Sequence, residues 1–279
     1  MSITVNTNMQ ALRIQNNLNK ATEKMNTSME RMSSGSRINS AKDDAAGLAV
    51  VTRMDTTLRS SKIASDNVAI GSNLLDTAEG NLNSILSNVQ RIRDLAAQAA
   101  SGTYSAADLT TITAEATTRA AEIDRLAGGA SFNGISLFVG AGTAMNLQVG
   151  TTSAVGDSLT LAAGMFAAAD ATALGVNVAT GFATAAAAKT FLGTLDTAIG
   201  TISTRVTDIG AAQNRLTSIA SNLEVQQSNL TSAVSTIRDA NVAQESASYV
   251  ASQILQSASA TLLVQANSAP QIALTLIKG

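Results

Sequence analysis

The sequence has no His, no Cys and no Trp, a single Pro, and only 3% aromatic residues among 279. Without His or Cys there is no imidazole general base, no thiolate nucleophile and none of the usual zinc ligands. Any catalysis would have to rest on carboxylate, Lys, Ser or Tyr chemistry. No disulfide framework can form, which fits either a reducing compartment or a secreted chain that does without cross-links. The scarcity of rings argues against a broad globular core, where aromatic side chains supply much of the buried area. Basic and acidic residues number 18 and 20, a net charge of -2 with no basic stripe, so nucleic acid is not an expected partner. No run approaches the length of a membrane-spanning helix, and the opening MSITVNTNMQALRIQNNLNK lacks the pattern of a cleaved secretory signal.

What the chain does contain is aliphatic sequence at helical spacing, with 45% of its residues apolar. Ala11, Leu18, Met25 and Met32 recur at sevens, with Ile14 and Ala21 three residues after the first two, the a/d pattern of a coiled-coil-like seam. Ser28 interrupts it. A second segment, about 44–100, carries Leu75, Ala78, Leu82, Ile85, Val89, Ile92, Ala96 and Ala99 at alternating threes and fours. Unbroken, it is a helix of roughly 85 Å, and such a rod cannot bury its own stripe. Leu109, Ile112, Ala116, Ile123 and Leu126 form a third face, closed by Gly128 and Gly129. Ile202, Ile209, Leu216, Leu223, Leu230 and Ile237 run at sevens, with Gln226 the exception among the intervening positions. Three amphipathic helices can therefore close an elongated bundle, with Leu75, Leu82, Val89, Ile92, Ile209, Leu216, Leu223 and Leu230 in its core. A last helical segment, 249–269, sets Val250, Ile254, Ala258, Leu262 and Gln265 or Ala266 in register, and Pro270 is expected to end it.

Between these halves the character changes. Met145/Leu147/Val149 and Leu159/Leu161 alternate as hairpin strands. Asn133-Gly134 marks a tight turn, beside which Phe132 and Phe138 are expected to plug the bundle end. The stretch MFAAADATALGVNVATGFATAAAAK reads as the least constrained part of the chain. The expected fold is mainly α, a long coiled-coil-like bundle with a small β-hairpin region and paired amino and carboxy termini.

One polar stretch, RMSSGSRINSAKDDAAGLAV at 31–50, invites a catalytic reading. Asp43 and Asp44 would be acid and base, with Lys42 or Ser34 as nucleophile. Adjacent carboxylates at a helix start point in different directions, however, and no partner base exists. As structure, Gly35 breaks the first helix and Ser40, Asp43 or Asp44 caps the second, its charge suiting the helix dipole. No catalytic, cofactor-binding or metal-binding residue is expected.

The opening ITVNTNMQALRIQNNLNKATEKMNTSMERMSSGSRINSAKDDAAGLAV resembles the amino-terminal signature of bacterial flagellins. The far end, GAAQNRLTSIASNL followed by IRDANVAQESASYVASQILQSASATLLVQANSAPQIALTLI, resembles their carboxy-terminal signature. Together the resembling regions extend over about the first 135 and last 75 residues. Ser36 stands where a Leu is more usual and Asn241 where many relatives carry Asp. The resemblance implies a short form without large outer domains, whose function is to polymerise into the helical flagellar filament of bacterial swimming. It implies an inner domain from 1–43 plus 240–279, and a rod-like domain from 44–165 plus 183–239 with a β-hairpin at about 131–163. Residues 166–182 would be a short connection.

The resemblance also implies contacts. Arg37, Asn39, Asp43 and Asp44 in the connecting spoke, with Leu18, Met25, Val250, Ile254 and Leu262 on the terminal helices, become candidates for touching neighbouring subunits. Partners would be further copies of the chain, the flagellar cap and hook-associated proteins, and a cytoplasmic export chaperone gripping the carboxy-terminal helix. Export would use the flagellar type III route and an uncleaved amino-terminal segment, placing the protein outside the cell in the filament. VQRIRDLAAQAA matches the segment read in many flagellins by a Toll-like innate immune receptor, which nominates Arg91, Leu95 and Glu115. Asp94 replaces a common Glu, and a surface ion pair explains Arg91 equally well. Two rivals remain at this stage: the hook-filament junction protein, and a membrane-active secreted helical protein. Against the second, the apolar faces lack Lys/Arg flanks and aromatic anchors, and stable membrane insertion is not expected.

Overall fold

The computed structural model describes the backbone of residues 7–278, and their side chains except at 155 and 269–278. Residues 1–6, the start of the implied export segment, lie outside that range. Helix α1 (Met9–Ser34) opens at Asn8, whose side-chain oxygen accepts the Ala11 N–H at 3.0 Å. It closes at Gly35, whose φ of 69° glycine adopts without strain. Helix α2 (Ala45–Ala99) follows Asp44, whose Oδ1 accepts the Gly47 N–H at 2.8 Å, so Asp44 is the cap among the three candidates. Helix α3 (Ala106–Gly129) starts on a capping box: Ser105 and Asp108 each accept the other's backbone N–H. It ends at the expected glycine pair.

Strands β1 (Ser131–Phe132) and β2 (Ile135–Ser136) pair antiparallel across Asn133-Gly134, both at positive φ. That is the two-residue turn which Asn-Gly favours. Strands β3 (Met145–Gln148) and β4 (Ser158–Leu161) pair with Met145 opposite Leu161 and Leu147 opposite Leu159, the register that the alternation predicts. Helix α4 (Val178–Gly181) is one turn, α5 (Ala185–Arg238) is unbroken over 54 residues, and α6 (Val242–Lys278) completes the chain. Pro270 was expected to end this last helix, yet it continues to Lys278. A proline removes one N–H donor and strains one turn, a cost of about 3 kcal/mol that a helix of 37 residues absorbs without ending.

The chain divides into two compact units, Arg59–Ser228, and Met1–Leu58 with Asn229–Gly279. In the first, the stripe from Leu75 through Ala99 on α2 is fully buried, as are Ile112, Ala116 and Ile123 of α3 and Ile202, Ile209, Leu216 and Leu223 of α5. These belong to one contiguous apolar core. Leu230 departs from the expected core: it is half-buried and outside that cluster, in the other unit. Phe138 is buried and Phe132 packs against the same cluster.

The segment that composition marks as least constrained is also packed. Phe166, Ala169, Ala171, Leu174, Val176, Val178 and Phe182 all join the core. Polar contacts hold it too: the Arg205 guanidinium donates to the carbonyls of Ala167 and Ala168 at 2.9 and 3.0 Å, and Asp124 accepts the Ala171 N–H at 2.8 Å. Burial lowers the pKa of Arg205. Small residues misled the composition because Ala and Gly permit close approach. A Cβ on Gly181 would collide with the Phe191 ring, which itself packs edge-on against Phe182 with centroids 5.7 Å apart.

Candidate functional site

The polar stretch at 35–44 lies in the unit that joins the two ends of the chain. Its backbone pairs with the end of α5: Arg37 N–H donates to Arg238 O at 2.6 Å, Ala240 N–H donates to Gly35 O at 2.9 Å, and Ser36 bridges Asp239 antiparallel. The Arg37 guanidinium adds a bond to Ile237 O at 2.6 Å. Arg238 reaches Asp55 at 3.1 Å. Asn241 then caps α6, its Oδ1 accepting the Ala243 and Gln244 N–H groups. As a cap, Asn241 satisfies these donors without adding charge at the helix start.

Every polar residue nominated for the spoke has an intrachain partner. Asn39 donates from its side chain to Glu30 at 3.4 Å. One Asp43 oxygen accepts from the Ser40 N–H at 2.9 Å, the Ser40 hydroxyl at 3.0 Å and the Asn39 N–H at 3.1 Å. Those donors, led by the Ser40 backbone, hold the Asp43 carboxyl below its ordinary value. A depressed carboxylate stabilises the fold above its unfolded pKa and loses that contribution as pH falls through the folded one. Asp43→Asn is therefore expected to remove part of the acid sensitivity of this turn, read from amide exchange at Ser40 across a pH series. Identical profiles in both proteins would refute the role.

Ile38 went unnoticed in the sequence, and it is the buried anchor of the stretch. Gly47 makes room for it, since a Cβ there would meet both Ile38 and the Asp44 carboxylate. The available signal was one large apolar residue in an otherwise polar run.

Helices α1 and α6 run antiparallel. Asn8 donates to Ala266 O at 2.8 Å near one end, Gln256 donates to Thr22 at 3.1 Å midway, and Arg31 meets Glu245 at 3.2 Å near the other. On α6 the side facing this seam carries Glu245, Tyr249, Ser252, Gln256, Ser259, Leu263 and Ala266, all half-buried or buried. Small and polar groups dominate it. Leu18 and Met25 are half-buried on the stripe of α1 that includes Ala21 and Ser28, so the chain already covers part of each.

The apolar stripe of α6 faces outward. Val250, Ile254 and Leu262 are 51%, 63% and 56% exposed, with Leu255 and Val264 beside them. On α1, Met9, Leu12 and Met29 are also exposed.

The residues nominated for receptor contact separate. Arg91 and Glu115 form an exposed ion pair at 2.8 Å. Leu95 is 2% exposed and belongs to the bundle core, which corrects its nomination as a surface contact. At three and four residues from Ile92 and Ala99 it continues their inward stripe.

Residues 5–143 match the bacterial flagellin N-terminal helical region, and residues 192–277 match the bacterial flagellin C-terminal helical region. Over 290 aligned residues the chain is 33% identical to flagellin FlaB1 of Treponema pallidum (strain Nichols), covering 98% of this chain and 99% of that protein. The chain belongs to the flagellin family. It is a structural subunit of the bacterial flagellar filament, of the short form. The flagellar filament 33 kDa core protein of Treponema phagedenis is 34% identical over the same span. The Salmonella muenchen flagellin is 47% identical over 150 residues, which is 54% of this flagellin but 30% of that one. A Vibrio parahaemolyticus structure assigned to the flagellar hook-associated proteins superposes with a TM-score of 0.59 over 71% of this chain and all of that one. At 14% identity that likeness concerns the fold alone. No described helix of this flagellin is long and apolar enough to cross a membrane.

Proposed function

We propose that this flagellin polymerises through the outward faces of α1 and α6, which receive equivalent faces of neighbouring subunits. The supporting observation is the partition of α6: its small and polar side meets α1, while Val250, Ile254 and Leu262 stay exposed in the single chain. Burying such side chains contributes about 1.5–3 kcal/mol each, and repeated head-to-tail contacts that do not close give an open helical filament. The unit Met1–Leu58 with Asn229–Gly279 then acts as the assembly domain, and Arg59–Ser228, with residues 166–182 packed into its core, as the rod. Arg37, Asn39, Asp43 and Asp44 are bonded within the chain and offer neighbours only their exposed edges.

The same outward stripe suits an export chaperone, which would cover it before polymerisation and leave it free afterwards. Secretion by the flagellar export route precedes assembly in this reading. A host receptor approaching α2 and α3 would meet the Arg91–Glu115 pair, without Leu95. Function is geometric and involves no chemical step.

Electron microscopy of the purified chain after heating, cooling and seeding tests the proposal against a version cut to residues 44–239. The full chain should grow tubes and the shortened one should stay monomeric. Filaments from the shortened chain would move the assembly surface away from α1 and α6.

A further inference from the structure

We propose that Met25, Met29 and Met32 form an oxidation site, at which a peroxide converts thioethers to sulfoxides and weakens the α1/α6 pair. The consequence for filament growth rests on the assembly role assigned above to that pair. The chain has no Cys, so the thioethers are its readily oxidised sulfur atoms. Spacings of four and three place these side chains on one face of the last three turns of α1, as neighbours.

Access and consequence are divided among them. Met29 is 50% exposed and open to an oxidant in solution, while Met25 and Met32 are half-buried. Met32 is tied to α6, its sulfur accepting the Ser246 hydroxyl at 3.2 Å beside the Arg31–Glu245 pair. The buried residues of α1 are Ala21 and Ser28, one small and one polar. Met25 and Met32 are therefore the large half-buried apolar side chains at this end of α1, and a polar modification would remove that apolar character.

The step balances. A sulfur lone pair attacks one oxygen of hydrogen peroxide and the O–O bond breaks. The attacked oxygen stays on sulfur as sulfoxide, and the other leaves as water after proton transfer. Sulfur is oxidised by two electrons and the peroxide is reduced by two. A flexible apolar side chain becomes polar and chiral. At Met25 and Met32 this polar group falls within a half-buried seam.

The test treats the full-length monomer with dilute hydrogen peroxide, maps sulfoxides by peptide mass, and follows seeded growth and amide exchange. Met25→Leu/Met29→Leu/Met32→Leu, which nearly conserves volume, is carried in parallel; both proteins carry Met9→Leu, because Met9 lies on the exposed face of α1, and Met54 on α2 serves as the internal oxidation control. Oxidised wild type should grow roughly tenfold more slowly or worse, the scale of an unpaired polar group in a half-buried seam. A methionine sulfoxide reductase should restore it, and the triple variant should grow equally with and without peroxide. Unchanged growth of wild type oxidised at the three positions would overturn the proposal, as would an equal loss in the triple variant. If the untreated chain grows no filament, the assembly reading fails separately and amide exchange decides. Protection of α1 and α6 lost on oxidation in wild type alone supports the site, and unchanged protection refutes it.

Discussion

Ile254→Asp combined with Leu262→Asp is expected to abolish seeded filament growth while leaving the monomer's thermal unfolding unchanged. Both side chains are more than half exposed on the outward stripe of α6, so the single chain loses little when they change. Exposed substitutions of this kind usually fall within about 0.5 kcal/mol. In a subunit interface the same positions forgo roughly 3–6 kcal/mol of apolar burial, taking about 1.5–3 for each side chain. At about 1.4 kcal/mol per tenfold, the critical concentration rises at least about a hundredfold, before the added cost of desolvating two carboxylates. Sedimentation of seeded samples measures that concentration, and calorimetry of the monomer provides the control. Growth at the wild-type critical concentration would show that the outward stripe is not the interface. A large fall in monomer stability would show that the stripe is covered within the chain.

Leu82→Ala is the substitution expected to cost the rod unit most, about 3–5 kcal/mol. Leu82 is fully buried in the middle of the α2 stripe, and its shortened side chain leaves a cavity walled by α2 and its neighbours in the core. For a unit the size of Arg59–Ser228 each kcal/mol lowers the unfolding midpoint by about 2–4 °C, so a fall of roughly 10 °C is expected by calorimetry. Leu230→Ala makes the informative comparison. It shares the heptad spacing of α5 but is half-buried and outside the core cluster, and its loss should be less than half as large. Equal losses at the two positions would return Leu230 to the core that its spacing suggests.

Much of this architecture was legible because helices advertise their buried face by period. The stripe from Leu75 to Ala99 recurs at threes and fours over many turns, so no competing arrangement hides it. The Asn133-Gly134 turn and the register of β3 on β4 followed from local backbone preferences and side-chain alternation. The middle segment was misread for an equally physical reason. Low side-chain volume resembles a loose linker in composition, while in space Ala169, Ala171 and Val176 are buried in the same core as Phe182 and Phe191. Pro270 was read as a stop from its missing N–H, and a long helix carried it.

The candidate surface was legible in its members and hidden in its direction. Val250, Ile254 and Leu262 could be named from spacing, but an apolar stripe on an isolated helix looks the same whether it faces a partner helix of its own chain or a neighbouring subunit. Leu95 shows the converse: the resemblance nominated it as a surface contact, while it is buried in the core on the inward stripe of Ile92 and Ala99. By itself the sequence determined where the long helices and the β-hairpins run, and that no imidazole or thiolate chemistry is open to this flagellin. Each of those depends on residue type, period and nearest neighbours. Only the tertiary structure decided which face of α6 meets α1, that Ile38 is buried beneath the polar turn, and that Arg37 and Asp43 are bonded within the chain. Those choices depend on packing between residues far apart in the chain, and spacing along one helix does not encode them.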